Sequence, residues 1–249
     1  MNIKLIVTDL DGTLLKEDKT ISAYTKSVLI KCRERGIKIV FATGRGGTND
    51  RIVPAELFDG RIKTNGAVAK IGDKVVYEKP APYHIARPFL LACEKHGLKI
   101  ALQRGDMTYS NFITSDVFSD IINYKLIDIS THSVDAEKII LYPVDRDFVE
   151  KHCPKELYLT VSREGFIAVM DKEATKAKAL AHLAGLWGID KSQIAAFGDD
   201  YNDLDMLIYA GTGVAMGDAL PDIKAAADFA ALSNEEDGVA HWIEKNILS

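Results

Sequence analysis

Ile3-Lys4-Leu5-Ile6-Val7-Thr8-Asp9-Leu10-Asp11-Gly12-Thr13 is the stretch from which the fold of this chain is read. Ile3 to Thr8 is short, β-branched and nearly all apolar, the character of a strand buried on both faces of a parallel sheet. It stops at Asp9, and a polar stretch follows Gly12-Thr13. Working outward, a helical pattern from Ser22 to Arg35 is closed by Gly36, and a second apolar strand, Ile37 to Ala42, follows directly. Strand, helix and strand in that order form a right-handed βαβ unit. In open α/β sheets ligands bind beyond the carboxyl ends of the strands, so Asp9, Asp11 and Thr43-Gly44 are expected at one edge.

Further along, a strand near Arg61–Thr64 precedes a hairpin from Ala67 to Glu78 with Gly72-Asp73 at its turn, and Lys79-Pro80-Ala81-Pro82 reads as a linker. The rhythm then changes. Helices are predicted over His84–His96 and Ser115–Ile122, with strands at Lys99–Gln103, Met107–Phe112, Lys138–Val144, Glu156–Ser162 and Gly165–Met170, and a helix between Val144 and Glu156. This mixture predicts an inserted α+β domain over 81–171, with 1–80 and 172–249 forming one doubly wound, Rossmann-like parallel sheet. A helix from Thr175 and a strand at Ile194–Phe197 resume the α/β order and deliver Gly198-Asp199-Asp200-Tyr201-Asn202-Asp203 to the start of another helix.

The chain has 31 Lys and Arg against 36 Asp and Glu, a net charge of −5, and no basic run, which argues against nucleic acid and anionic membranes as partners. No apolar run is long enough to span a bilayer, and no signal-peptide pattern is present, so a cytoplasmic location is expected. Cys32, Cys93 and Cys153 are widely spaced and read as reduced thiols, and the His residues form no metal-binding spacing. No feature bears on oligomeric state.

Two strand ends therefore bring Asp9, Asp11, Asp199 and Asp203 towards one crevice. Like charges ~4 Å apart repel by roughly 4 kcal/mol at an effective dielectric of 20, so such a cluster implies a cation. All-carboxylate ligation without His or Cys selects a hard ion, and Mg²⁺ fits because it keeps open positions for phosphate oxygens. Thr43-Gly44 offers a hydroxyl and backbone N–H groups to a phosphate oxygen, and Lys176 a point charge at a helix start. Asn202 has an amide to donate, and Asp203 is placed to orient Lys176 or a metal-bound water. Each also has a plainer reading: turn formers at Asp9 and Asp11, a solvated cation at Lys176, helix caps at Asn202 and Asp203.

Taken together, Asp9-Leu10-Asp11-Gly12-Thr13, Ala42-Thr43-Gly44-Arg45, Lys176 in Thr175-Lys176-Ala177-Lys178, and Gly198 to Asp203 resemble the four motifs of the haloacid dehalogenase-like hydrolases, in the family's order. The insertion, with Thr64-Asn65-Gly66-Ala67 and Gly213-Val214-Ala215-Met216-Gly217, resembles its Cof-type branch with a C2 cap. Ala177 stands where this branch commonly has Gly, and Gly46–Gly60 matches no pattern, so Arg45 and Asp50 receive no role.

The resemblance implies a phosphatase for small phosphorylated metabolites. Asp9 would be the nucleophile that forms an aspartyl-phosphate, and Asp11 the acid and then the base. Mg²⁺ would be held by Asp9, Asp199 and the backbone carbonyl of Asp11. Thr43, Gly44, Lys176, Asn202 and Asn65 would bind phosphate, with Thr13 and Asp203 supporting them, and the inserted domain would act as a lid that selects substrate. In that domain Arg104, Tyr109 and Asn111 fit ordinary surface positions as well as ligand contacts. Alternatives are a phosphomutase or phosphotransferase using the same intermediate, and a silent phosphometabolite-binding protein. A phosphoreceiver module fails on size and on Asp11 two residues past Asp9.

Overall fold

The opening strand, β1 (Leu5–Thr8), is buried at every residue. Because successive side chains point to opposite faces, this requires cover on both sides of the sheet. The computed structural model describes residues 1–47, 52–118, 121, 123–162 and 165–249 of the chain. Helix α1 (Ala23–Glu34) begins where the Ser22 hydroxyl accepts from the Thr25 N–H, carries Lys31 and Arg33 in its last turn, and buries Thr25, Val28, Leu29 and Cys32 along one stripe. Gly36, with φ 77°, then turns the chain into β2 (Lys38–Ala42), which pairs parallel to β1. β3 (Gly60–Lys63), β4 (Val68–Ile71) and β5 (Lys74–Glu78) follow, β3 parallel to β2 and β4 antiparallel to β3.

The chain next builds a separate unit. Helix α2 (Tyr83–Lys95) presents Tyr83, Ala86, Phe89, Leu90 and Cys93 as its buried face. Strands β6 (Lys99–Arg104), β7 (Met107–Ser110), β8 (Tyr124–Leu126) and β9 (Lys138–Tyr142), helix α3 (Arg146–His152), and strands β10 (Leu157–Val161) and β11 (Ile167–Asp171) complete it. Their order is β10-β11-β9-β6-β7-β8, antiparallel except for β7 and β8. Ile100, Leu102, Ile139, Leu141, Ile167 and Val169 share its core with α2 and with Val149 of α3.

Helix α4 (Lys176–Leu186), strand β12 (Ile194–Gly198), helix α5 (Leu204–Tyr209), strand β13 (Thr212–Ala215), helix α6 (Pro221–Ala226), strand β14 (Phe229–Ala230) and helix α7 (Gly238–Ile243) return to the first sheet. Its order is β14-β13-β12-β1-β2-β3-β4-β5, parallel from β14 to β3, in agreement with the α/β reading. Helix α1 packs with α7, and α4 with α5. Among the described residues, contacts group 1–45, 52–77 and Thr175–Ser249 as one unit and Gly46 and Gly47 with Glu78–Ala174 as the other. Among the described residues no helix is long and apolar enough to cross a membrane.

Among the described residues one predicted element is not found. In place of the helix over Ser115–Ile122, a single 3-10 turn spans Thr114–Asp116, and Ser119, Asp120 and Ile122 lie outside the described residues. Two of the described residues here, Thr114 and Phe118, find tertiary partners. The Thr114 hydroxyl donates to the Ile121 carbonyl, and the Phe118 ring packs edge-on against Phe112, Tyr142 and Phe166. Tertiary contacts of this kind override a local helical pattern. β8, β13, β14, α6 and α7 lie beyond the elements foreseen. Cys32 and Cys93 are buried, Cys153 is half-buried, and all three thiols are free; burial pushes Cys93 up to about 12.

Candidate active site

The register of the parallel sheet brings the motifs together. Thr8 of β1 lies opposite Phe197 of β12 on one side and Phe41 of β2 on the other, and the Asp9 N–H donates to the Phe197 carbonyl at 3.0 Å. One step later, β1 releases Asp9, β12 releases Asp199, and β2 releases Thr43, all at the same edge. Strand ends of a parallel sheet converge in this way because the strands run in one direction. Asp9, Asp199, Asp203, Lys176, Thr43 and Thr13 are all buried.

Lys176 is the hub. Its Nζ donates to Asp9 Oδ1 and to Asp203 Oδ1, each at 2.6 Å. Thr175 caps α4 by accepting from the Lys178 N–H, which starts the helix at Lys176 and aims that side chain inward. Burial alone would lower the ammonium, but Asp203 and then Asp9 outweigh it and hold Lys176 charged above its ordinary value. Burial raises the Asp9 carboxyl; Lys176 opposes this, while the charges of Asp203 and Asp199 push it further up.

The carboxylates divide by what already occupies them. Asp203 Oδ2 accepts from the N–H groups of Asp199 and Asp200, at 3.0 and 3.2 Å, while its Oδ1 takes Lys176. Asp203 thus shapes the turn after β12 and anchors the lysine. Thr13 Oγ1 donates to Asp199 Oδ1 at 3.0 Å. One oxygen each of Asp9, Asp199 and Asp203 lie within 4.8 Å of one another. Lys176 brings one positive charge to these three carboxylates, so the cluster fits a hard divalent cation. Asp9 and Asp199 are its natural ligands, because both Asp203 oxygens are committed. Two glycines make the cluster possible: a Cβ on Gly12, at φ 79°, would lie 2.6 Å from Asp199 Oδ2, and one on Gly198 would lie 2.4 Å from Asp203 Cβ.

Asp11 is placed differently. Arg45 grips its carboxylate with two guanidinium nitrogens, Nε to Oδ2 at 2.6 Å and Nη2 to Oδ1 at 2.7 Å, and Lys19 Nζ adds a contact to Oδ1 at 2.8 Å. Burial would raise this carboxyl, but the hydrogen bonds from Arg45 and Lys19 prevail and hold it below its ordinary value. The sequence reading missed both cations. Arg45 carries a signal in its place directly after Thr43-Gly44; Lys19, eight residues past Asp11, carries none. Asp50 lies outside the described residues.

Thr43 Oγ1 accepts from the Arg45 N–H at 3.1 Å, which curls the loop after β2. Asn202 Nδ2 donates to Asn65 Oδ1 at 3.1 Å, and a Cβ on Gly44 would lie 2.9 Å from that same oxygen, so Gly44 leaves room for the amide pair. In the second unit, Arg104 pairs with Glu78 at 2.9 Å and Tyr109 packs on the His132 ring. Asn111 ties the Ile100 N–H to Glu94 through its two amide ends, a fastening between β6 and α2.

Comparison with known proteins gives a consistent result. The sequence profile of the haloacid dehalogenase-like hydrolases matches residues 6–243. YxeH of Bacillus subtilis (strain 168) is 30% identical over 267 residues, covering 99% of each chain. The 5-amino-6-(5-phospho-D-ribitylamino)uracil phosphatase YwtE of the same organism is 27% identical, covering 98% of each. Among solved structures, the HAD subclass IIB sugar phosphatase BT4131 superposes with a TM-score of 0.84 at 26% identity, covering 97% of this chain and 98% of the other.

Proposed function

The chain belongs to the haloacid dehalogenase-like hydrolases and is a phosphatase, and from that premise we propose that it hydrolyses a small phosphorylated metabolite with Mg²⁺ through an aspartyl-phosphate on Asp9. The observation that carries this reading is the buried bridge Asp9–Lys176–Asp203 with Asp199 beside it.

Asp9 and Asp199 would hold the cation, with the backbone carbonyl of Asp11. The chemistry such an ion would supply is charge: it would offset the carboxylates of Asp9 and Asp199 and polarise the phosphoryl group. Asp9 Oδ1 is engaged by Lys176, so Oδ2 is the oxygen that attacks phosphorus. As the new P–O bond forms, the ester P–O bond breaks, and Asp11 gives its proton to the departing alkoxide. In the second half Asp11 takes a proton from water, which attacks the same phosphorus and frees Asp9 with release of inorganic phosphate.

The ammonium of Lys176 has three N–H groups, of which Asp9 and Asp203 use two, leaving one for a phosphoryl oxygen. Thr43, the Gly44 N–H and Asn202 supply further donors where charge accumulates in the transition state. The grip of Arg45 and Lys19 keeps Asp11 ionised, which suits the water-activating half; the acid half requires that grip to loosen.

The relatives named for phosphoribitylamino and sugar substrates support a sugar phosphate or a similar phosphomonoester as the substrate class. Asp9→Asn removes the nucleophile with almost no change in shape, and turnover of p-nitrophenyl phosphate is expected to vanish while the circular dichroism spectrum is unchanged. Near-normal turnover in that variant refutes the mechanism. Phosphate release across a panel of sugar phosphates, nucleotides and cofactor phosphates identifies the substrate.

A further inference from the structure

Three consecutive residues, Thr64, Asn65 and Gly66, have φ values of 52°, 53° and 100°. Left-handed backbone at two successive non-glycine residues is unfavourable and persists only where surroundings hold it, a situation concentrated at working sites. Here the surroundings are the elements that build the phosphoryl pocket. The Asn65 N–H donates to the Thr43 carbonyl and the Thr64 N–H to the Arg45 carbonyl, each at 3.0 Å. Gly66 presses on the start of α4 so closely that a Cβ there would lie 2.1 Å from the Thr175 carbonyl oxygen and 2.7 Å from the Lys176 nitrogen. The Asn65 side chain meets Asn202. One turn thus touches the loop after β2, the helix that carries Lys176, and the amide of Asn202.

We infer that Asn65 is a positioning residue that orients the Asn202 amide toward the phosphoryl group. The inference rests on the reading of Asn202 as a phosphate donor. Asn65 carries amide donors of its own at Nδ2, but the end that faces Asn202 is the acceptor Oδ1, and it is through that contact that it acts on Asn202. Its backbone N–H is already committed to Thr43. Asn202 Nδ2 carries two N–H groups. With one held by Asn65 Oδ1, the rotation of the amide is set and the second N–H has a defined direction. Nδ2 also lies 3.5 Å from where a Cβ on Gly44 would stand, which puts the amide nitrogen beside the Thr43-Gly44 loop.

The test is a double-mutant cycle of N65G, N202A and the two combined. Glycine keeps the left-handed backbone and removes only the side chain. Two quantities are measured for each protein: the dissociation constant of inorganic phosphate, and kcat/KM for p-nitrophenyl phosphate. Loss of one oriented hydrogen bond predicts about 10-fold weaker phosphate binding in N65G, a similar loss in N202A, and less than about 2-fold further loss when N65G is added to N202A. Equal losses from N65G in both backgrounds would mean that Asn65 contacts phosphate itself or acts only through stability, and would overturn the inference. So would unaltered phosphate binding in N65G. The side-chain amide resonances of Asn202 give a reading independent of turnover, since N65G should remove the downfield shift of its hydrogen-bonded proton. Absence of turnover in the wild-type protein would count against the proposed reaction, while the phosphate-binding arm would still decide the role of Asn65.

Discussion

Lys176 shows most directly how a single side chain organises this site. Its Nζ is fully enclosed between Asp9 and Asp203, so it neutralises carboxylates that the fold has already removed from water. Lys176→Met is expected to abolish turnover and to cost about 3–5 kcal/mol of stability in chemical denaturation, the loss typical when one partner of a buried pair is removed. Asp11 gives a pH signature. Its carboxyl is lowered in the folded protein, so its contribution to stability is complete above the ordinary value of 3.8 and disappears as pH falls through the lowered one. Asp11→Asn should therefore lower the denaturation midpoint at neutral pH, and the difference from the wild-type protein should shrink as pH falls into the acid range, measured as denaturation midpoint against pH. Asp9, Lys176 and Asp199 were legible because each follows a recognisable element boundary. The partners of Asp11 were not, because the preference of a carboxylate for one cation over another is settled by side-chain reach in three dimensions.

At the scale of elements, the start of α4 and the turn at Thr64–Gly66 act together. Thr175 caps the helix that presents Lys176, and Thr175→Ala is expected to cost about 1 kcal/mol and lower kcat more than KM, read by denaturation and steady-state kinetics. Gly66→Ala should be worse. Left-handed backbone alone disfavours alanine by about 1–2 kcal/mol, and the added Cβ would collide with the Thr175 carbonyl. Reduced thermal stability with loss of turnover is the expected outcome, and a fully active Gly66→Ala protein would show that the close approach does not matter. Helix α1 and strands β1, β2 and β12 were legible because periodicity and caps are local properties. The segment predicted as helical at Ser115–Ile122 was misread because Thr114 and Phe118 find partners that a local pattern does not contain.

Across the molecule, three separated stretches of chain form one unit, and residues as distant in sequence as Asp9 and Asp199 become neighbours through the pairing of β1 with β12. Carboxylates gathered in this way give the protein a reason to bind a divalent cation even without substrate. Treatment with EDTA should abolish turnover and lower the thermal midpoint, and Mg²⁺ should restore both, because a ligand of the folded state alone stabilises it. An unaltered midpoint and full activity after chelation would count against the metal.

By itself, the sequence determined the buried parallel strands and the residues that leave their ends, because hydrophobic period, caps and turn glycines act over a few neighbouring positions, and the resemblance of its four short motifs marked the family. Only the tertiary structure decided that Arg45 and Lys19 hold Asp11, that Asp203 gives both oxygens to the lysine and the turn, and that Asn65 faces Asn202. Those pairings depend on strand register and on the close approach of glycines, which join positions far apart in the chain.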